Sequence, residues 1–412
     1  MATKTWTGRA ASVAQVTKIT WSATGSHTYS VTINGKTVSY TSTTSSLATI
    51  IDGLIAAWEA SPEPEHAELI AAQRIESSTL VGLQLTAVAS GVPHTITASA
   101  TSGTATVTEI TAASGPNFWN VAANWSGASL PSASDDLVFE DSAVSVLYGL
   151  TDTTNYGSLT LKASYTGAIG LPATNANGYP EYRTRFLTLG NGSGTLVVTI
   201  GEGVGIGASR VLLDLNDGTG TVTVHQTSAN TLEGYPVQIH GLDSSSAVRV
   251  YGGSVQLGDP SSAAVSTLDI IERPASRARP VVSVASTVTV TTILCSGGEL
   301  YLESSATSLT ARDGAIVTVQ KAAAIPTVKV GSRARLNWES SAGISTKLTA
   351  EPGGIADFGR VATTKTIAAA DIHPGGTILD PLDKITWTAG VVLVGARLAD
   401  VTLDLGFGVT VS

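Results

Sequence analysis

The chain is poor in charged and aromatic residues. Charged residues make up 13% of its 412 residues and aromatic residues 5%, whereas an average soluble domain is about 25% charged. Glycine, serine, threonine, alanine and valine take their place. This mixture suits narrow β-structures with small or branched interior side chains and does not suit helical bundles. A hydrophobic content of 42% argues against disorder.

Several other features are absent. Cys295 is the only cysteine, so the chain forms no internal disulfide, and its apolar surroundings predict a buried, inert thiol. A net charge of −9 without lysine or arginine clusters argues against nucleic acid as a partner. No apolar run approaches the roughly 18 residues of a membrane span. The first residues have no apolar core of a Sec-type signal peptide, so we expect no leader.

The first quarter of the chain predicts a small α+β domain. Alternating residues on both sides of Asn34-Gly35, the strongest short hairpin signal, predict a β-hairpin over about 28–40. An apolar stripe from Leu47 to Trp58, with Ser45 or Ser46 before it and Pro62 after it, predicts one helix. Further strands are predicted at 67–74, 80–87 and 94–98. We assign residues 1–114 to this domain.

The rest of the chain predicts a rod. From about residue 187, short β-type runs end at Gly, Ser, Asn or Asp, and no helical pattern lies between them. The pattern is clearest from residue 187, but similar runs already begin near Ser142. They recur without a strict sequence repeat. Dense strands without helices predict a single-stranded parallel β-helix (β-solenoid) over 142–412. The fold class is therefore mainly β.

The segment between these parts is rich in tryptophan. Trp119 and Trp125 stand six residues apart among Asn, Ala and Gly in the segment 115–141. The first coil of a solenoid exposes apolar surface and unpaired strand edges. We therefore predict that Trp119 and Trp125 belong to a linker that caps this end. Trp387 and Phe407 are predicted to cap the far end.

One loop stands out as a candidate binding site. Residues 173–185 carry Tyr179, Tyr182, Arg183 and Arg185, an unusual density of aromatic and basic side chains for this chain. Tyrosine and arginine are typical anchors of interfaces. The alternative is that the loop packs on its own coil.

No motif points to catalysis or to a cofactor. The run Asp214-Leu215-Asn216-Asp217-Gly218 resembles the start of a calcium loop but lacks the closing Glu, so we interpret it as a polar turn. Candidates for a cation site or a glycosidase pair are Asp135, Asp136, Glu140 and Asp141 around one predicted strand, but sequence alone does not align acids from different coils. The histidines match no zinc pattern. We predict no catalytic, cofactor or metal residues and no enzymatic activity.

Two segments resemble parts of viral and bacterial surface proteins. The strand ending Val31-Thr32-Ile33-Asn34-Gly35-Lys36, followed by the helix 47–60, resembles small modules in structural proteins of tailed bacteriophages. The segment from Trp119 to Ser126, with Pro131 and Asp135-Asp136 after it, is similar to openings of parallel β-helix regions in bacterial surface proteins and phage fibres. The resemblance implies a virion surface protein with a parallel β-helix region, of the capsid-decoration, head-fibre or tail-fibre kind.

These observations predict a structural protein assembled in the host cytoplasm and exposed on a phage virion. The domain 1–114 would attach it to capsid or tail proteins, and the β-helix would project from the particle or cover it. We expect a homo-oligomer, with a trimer as the candidate state, and a host-surface glycan as a candidate ligand in host attachment. Two alternatives stay open, namely a tailspike-type glycan depolymerase and a bacterial surface adhesin.

Overall fold

The computed structural model describes residues 2–228, 234–258, 263–274, 278–331, 333–360 and 363–404. The chain begins with a three-residue strand, Thr3–Thr5 (β1). An N-terminal unit follows, and then a long β-solenoid. None of the helices in the described part of the chain is long and apolar enough to cross a membrane.

The N-terminal unit consists of two antiparallel sheets and one helix. Its elements are Val16–Trp21 (β2), Thr28–Ile33 (β3), Lys36–Thr41 (β4), Leu47–Glu59 (α1), Leu69–Glu76 (β5), Thr79–Ala87 (β6), Ile96–Ala100 (β7) and Ala105–Thr111 (β8). The sheets have the orders β5-β6-β2-β8 and β4-β3-β7. Short 3₁₀ helices lie at His66–Glu68, Ala122–Asn124, Ser126–Ala128 and Leu398–Asp400 along the whole chain.

Local signals explain the predicted hairpin and helix, and both are confirmed. Asn34 and Gly35 have φ values of 49° and 73°, as a tight hairpin turn with two left-handed residues requires. The hydroxyl of Ser46 accepts a hydrogen bond from the amide of Thr49 at 3.3 Å, and so caps α1. The apolar stripe of α1, including Ile50 and Trp58, is buried against the sheets.

The solenoid has two long parallel sheets that run along its axis. Its strands are Asp136–Phe139 (β9), Thr151–Asp152 (β10), Ser158–Lys162 (β11), Ala168–Ile169 (β12), Leu187–Leu189 (β13), Thr195–Glu202 (β14), Arg210–Val224 (β15), Val237–Leu242 (β16), Ala247–Val250 (β17), Ser254–Leu257 (β18), Ala263–Ile271 (β19), Val281–Val284 (β20), Val288–Ser296 (β21), Glu299–Leu302 (β22), Ala306–Arg312 (β23), Ile316–Val319 (β24), Thr327–Val330 (β25), Arg335–Trp338 (β26), Lys347–Ala350 (β27), Ile355–Asp357 (β28), Lys365–Ile367 (β29), Ala370–Ile372 (β30), Thr377–Leu379 (β31), Ile385–Trp387 (β32), Val391–Leu393 (β33) and Thr402–Asp404 (β34). They form about 12 turns, so the predicted mainly-β solenoid is confirmed. The predicted extension to Ser412, with Phe407, lies outside the described residues.

The core is a column of aliphatic rungs. In one sheet, each inward residue lies in register with an inward residue of the next coil, in the order Leu137, Leu159, Val198, Val222, Val248, Leu268, Ile293, Leu309, Val328, Leu348 and Ala370. All of them are buried. Burying one such side chain contributes about 1.5–3 kcal/mol. Repetition of one inward aliphatic position therefore contributes to the stability of the rod at every coil.

The start of the solenoid differs from the prediction in two respects. Its first rung is β9, inside the segment 115–141 that the sequence assigns to a cap. In addition, β1 does not belong with the rest of the predicted unit 1–114, because Thr3 to Thr5 pair in parallel with residues 136–138 of β9. The reason is that the first coil has an open edge whose amide and carbonyl groups need partners. The boundaries at 114 and 142 otherwise stay predictions.

Candidate functional site

Three tryptophans form an aromatic cluster at the first rung. Trp125 packs edge-on against Trp6 and Trp119, with ring centroids 5.2 Å and 4.9 Å apart. Trp119 stacks on Phe139 of β9 at 6.3 Å. Its indole nitrogen donates a 2.6 Å hydrogen bond to Asp152 Oδ2. The cap role of Trp119 and Trp125 stays a prediction, but these contacts place both rings over the first coil, where a cap must lie.

The loop 173–185 joins β12 to β13 and packs against the N-terminal unit. The hydroxyl of Tyr179 donates a 2.6 Å hydrogen bond to Glu68 Oε1, and the side-chain amide of Asn177 donates to the same oxygen. Arg183 Nη1 donates to the backbone carbonyl of Pro93 at 3.2 Å. The loop is therefore neither free in solvent nor packed only on its own coil, because it connects the solenoid to the N-terminal unit.

Arg183 is the electrostatic centre of this contact. It forms a two-pronged ion pair with Glu181, with N–O distances of 2.8 Å and 3.2 Å. The Glu181 side chain is only 1% exposed. The guanidinium also lies over the rings of Tyr182 at 5.0 Å and Tyr148 at 5.7 Å. Burial opposes its charge most strongly, but the hydrogen bond and charge of Glu181 together with Tyr182 and Tyr148 outweigh burial and hold the pKa of Arg183 above its ordinary value.

Arg185 and Tyr182 have different surroundings. Arg185 Nε donates to the backbone carbonyls of Leu171 and Pro172, at 3.3 Å and 3.1 Å, and so fixes the base of its own loop. The Tyr182 hydroxyl is buried without a hydrogen-bond partner, and burial raises its pKa to about 12. Of the four predicted residues, three lie at the contact with the N-terminal unit and Arg185 does not. Their role in binding stays a prediction.

A cleft of about 470 Å³ lies between the loop, the first coils and the N-terminal unit. Its apolar wall comes from both sides of the contact and consists of Val88, Val92, Leu147, Leu171 and Pro172. Small-molecule sites typically occupy roughly 300–1,000 Å³ and combine apolar walls with a few polar groups. We call this space the joint cleft.

Polar groups with unmet hydrogen bonds line the joint cleft. They are Glu68 Oε2, both ring nitrogens of His94 and the side-chain nitrogen of Asn175, all buried without a hydrogen-bond partner. His94 Nδ1 lies 3.5 Å from Glu68 Oε2, and the two side chains are 1% and 12% exposed. Burial lowers the pKa of His94 to about 4, against the opposing effect of Glu68. His94 is therefore neutral at neutral pH.

Sequence reasoning missed Glu68 and His94. The two residues lie on a short 3₁₀ helix and in the β6–β7 connection, and no local pattern distinguishes them from ordinary surface residues. Only the packing of loop 173–185 on the N-terminal unit brings them together with Asn175. An alignment of paired changes is the kind of signal that reveals such a contact.

The candidate acids near β9 have structural contacts. Asp135 accepts hydrogen bonds from the backbone amides of Ala2 and Ser132, at 2.8 Å and 2.9 Å. Asp136 Oδ1 accepts one from the Ser158 hydroxyl at 2.6 Å. These hydrogen bonds tie the start of the chain and the second rung to the first rung.

The remaining sequence candidates have surroundings that fit their structural interpretation. Asp214 Oδ1 accepts a 2.9 Å bond from the amide of Asn216, at the irregularity of β15 where the register shifts between Asp214 and Gly218 and where Asn216 and Asp217 have positive φ. Cys295 is buried, as predicted, and burial raises the pKa of its thiol to about 12. In the described ranges, no group of three or more His, Cys, Asp or Glu side chains has an arrangement that suits a metal ion.

Comparison of the chain with protein-family models, with curated proteins and with solved structures finds no match.

Proposed function

We propose that this chain is a structural protein on the surface of a tailed-phage particle, in which the solenoid serves as a stiff decoration or fibre. The observation that carries the structural role is the continuous column of in-register aliphatic rungs from β9 to β30. A rod built in this way resists bending because each coil is joined to the next by main-chain hydrogen bonds and a shared core.

The two ends of the solenoid differ, which supports attachment to the particle through one end only. The first coil carries the aromatic cluster around Trp125 and the docked N-terminal unit. The last described rungs, β33 and β34, carry residues such as Val392, which is 55% exposed. We propose that the N-terminal unit faces the particle and that the distal coils project from it or lie across it. A symmetric seat on the particle favours a homo-oligomer, with a trimer as the candidate state.

The proposal of a virion rests on the resemblance of two segments. These are the hairpin and helix around Asn34 and α1, and the Trp119–Ser126 segment before the first rung. The fold itself is compatible with a fibre, a tailspike or an adhesin. The neighbours that we propose are therefore other capsid or tail proteins.

Imaging of particles with labels at the two ends tests this proposal. Gold is attached to a cysteine introduced at Ser102, at an exposed bend of the N-terminal unit, or at Ala389, at an exposed bend near the last rungs. Purified particles from lysed host cells are then imaged. We expect both labels on particles, with the Ser102 label nearer the shell. Absence of the chain from particles, or the Ala389 label nearer the shell, would overturn the proposal.

The depolymerase alternative has a separate test. The pure protein is incubated with polysaccharides of the host surface, and reducing ends are measured. Under the structural proposal their number stays at the level of the buffer control. A steady increase with time would overturn the structural proposal in favour of the enzyme.

A further inference from the structure

Four buried side-chain atoms around the joint cleft have no hydrogen-bond partner, and two of them, Glu68 Oε2 and His94 Nδ1, lie 3.5 Å from each other. An unsatisfied buried polar group costs about 1–3 kcal/mol, and native proteins leave few of them. Here Glu68, His94 and Asn175 each have such an atom around one cleft. A bound ligand that forms the missing hydrogen bonds would offset this free-energy cost.

The charge of the cleft restricts the ligand. Glu181 and Arg183 neutralise each other, and His94 is neutral at neutral pH. Glu68 remains as a carboxylate whose Oε2 lacks a hydrogen-bond partner, while its Oε1 accepts from Tyr179 and the loop. A local charge of −1 disfavours phosphate, acidic sugars and nucleic acid. A single carboxylate and a single imidazole are also too few ligands to hold a metal ion.

The distribution of polar and apolar groups in the joint cleft further restricts the class of ligand. The carboxylate oxygen accepts hydrogen bonds, the Asn175 amide nitrogen donates them, and the His94 ring does both. Hydroxyl groups match this set because each one donates and accepts. Leu147 and Leu171, which also line the cleft, present only C–H groups from their side chains. A ligand that has hydroxyl groups on its rim and C–H groups on its faces fits both sets of groups.

We propose that the joint cleft binds a neutral carbohydrate, with Glu68, His94 and Asn175 contacting sugar hydroxyls and with the Leu147 and Leu171 side chains packing on the ring. The volume of about 470 Å³ lies within the range of sites for small molecules. The polar atoms are closed to solvent, so the ligand enters when loop 173–185 shifts outward. This binding role does not depend on the location of the protein on a phage particle.

Titration of the full chain with defined saccharides tests the proposal. The probes are neutral disaccharides built from glucose, galactose or N-acetylglucosamine, with sialyllactose and inorganic phosphate as anionic comparisons. Binding is measured by calorimetry at pH 7.5. We expect a neutral disaccharide to bind and the anionic probes to fail. No neutral saccharide bound at millimolar concentration, or tighter binding of an anionic probe, overturns the proposal.

Two variants locate the site. Asn175→Asp keeps the oxygen that accepts from the amide of Asn177 but removes the donor, so we expect at least a tenfold loss of affinity. Ala89→Trp fills the cleft from an exposed position and should abolish binding. Asn191→Asp is the matched control, because Asn191 caps a turn of the solenoid in the same way. Equal affinity in Asn175→Asp, Ala89→Trp and the control would overturn the assignment.

Hydrogen exchange gives a second readout that does not depend on affinity. Saturating saccharide should slow amide exchange in loop 173–185 and around His94, and should leave the distal coils unchanged. Protection elsewhere, without any change in these two segments, would place the sugar at another site and contradict the proposal.

Discussion

Acid should weaken the attachment of the N-terminal unit to the solenoid through His94. The ring is almost fully buried, at 1% exposure, and its nitrogens have no hydrogen-bond partner. Burial opposes its protonated form most strongly and Arg183 adds to this, while Glu68 and Glu181 favour that form without compensating for burial. The folded state therefore holds His94 neutral, whereas the unfolded chain protonates it at mildly acidic pH.

The size of the effect follows from the two pKa values. The pKa of His94 falls from 6.5 to about 4 on folding, which corresponds to about 3 kcal/mol. Between these values the unfolded chain binds more protons than the folded chain, so stability rises with pH. The contribution is complete above about pH 6.5. It is lost progressively as the pH falls toward 4, and below 4 it stays constant.

Urea unfolding at a series of pH values between 4 and 8 measures this effect. The variant His94→Leu removes the titrating ring, and His373→Leu, on a distal coil, controls for loss of a histidine as such. We expect the free energy of unfolding of the native chain to fall relative to His94→Leu by about 3 kcal/mol from pH 7.5 to pH 4. Curves for the native chain and His94→Leu that run parallel over this range would refute the reasoning.

Two further predictions concern the two ends of the solenoid and the contact between loop 173–185 and the N-terminal unit. Trp125→Ala should cost about 3–5 kcal/mol in urea unfolding because it empties the aromatic cluster, whereas the half-buried Trp387→Ala should cost clearly less. Equal losses would contradict the cap at the first coil. Arg183→Ala should cost about 3–5 kcal/mol because it leaves a buried carboxylate unpaired, whereas Arg249→Ala, whose side chain is 50% exposed, should cost under about 1 kcal/mol. A comparable small loss in both would show that the ion pair of Arg183 is not effectively buried.

Local patterns predicted the elements that depend on neighbours in sequence. The helix α1 follows from the spacing between Leu47 and Trp58, and the β3–β4 hairpin follows from Asn34-Gly35. Strand β2 was missed, although its alternation buries Thr17, Ile19 and Trp21. The inward face of β2 combines a threonine with apolar residues. Because a buried threonine resembles a surface residue in sequence, the apolar–polar alternation that predicts a strand is weakened.

Contacts between distant segments were beyond prediction. The solenoid was recognisable from recurring strands, but its register was not, because coils differ in length. Val222 lies in register with Val248, and Ile293 with Leu309. The joint cleft depends on this register, because loop 173–185 reaches the N-terminal unit only when the first coils are in place. The same holds for β1, whose partner strand lies at 136–139.

The pairing of β1 with β9 has a mechanical consequence. The chain crosses between the solenoid and the N-terminal unit twice, once after Thr5 and once before Asp136, so the unit is an insertion rather than a pendant domain. A force that pulls the unit away is shared by two backbone segments and by the contact at Arg183. The two bodies therefore transmit torque as well as tension, which a connection through a single flexible linker does not allow.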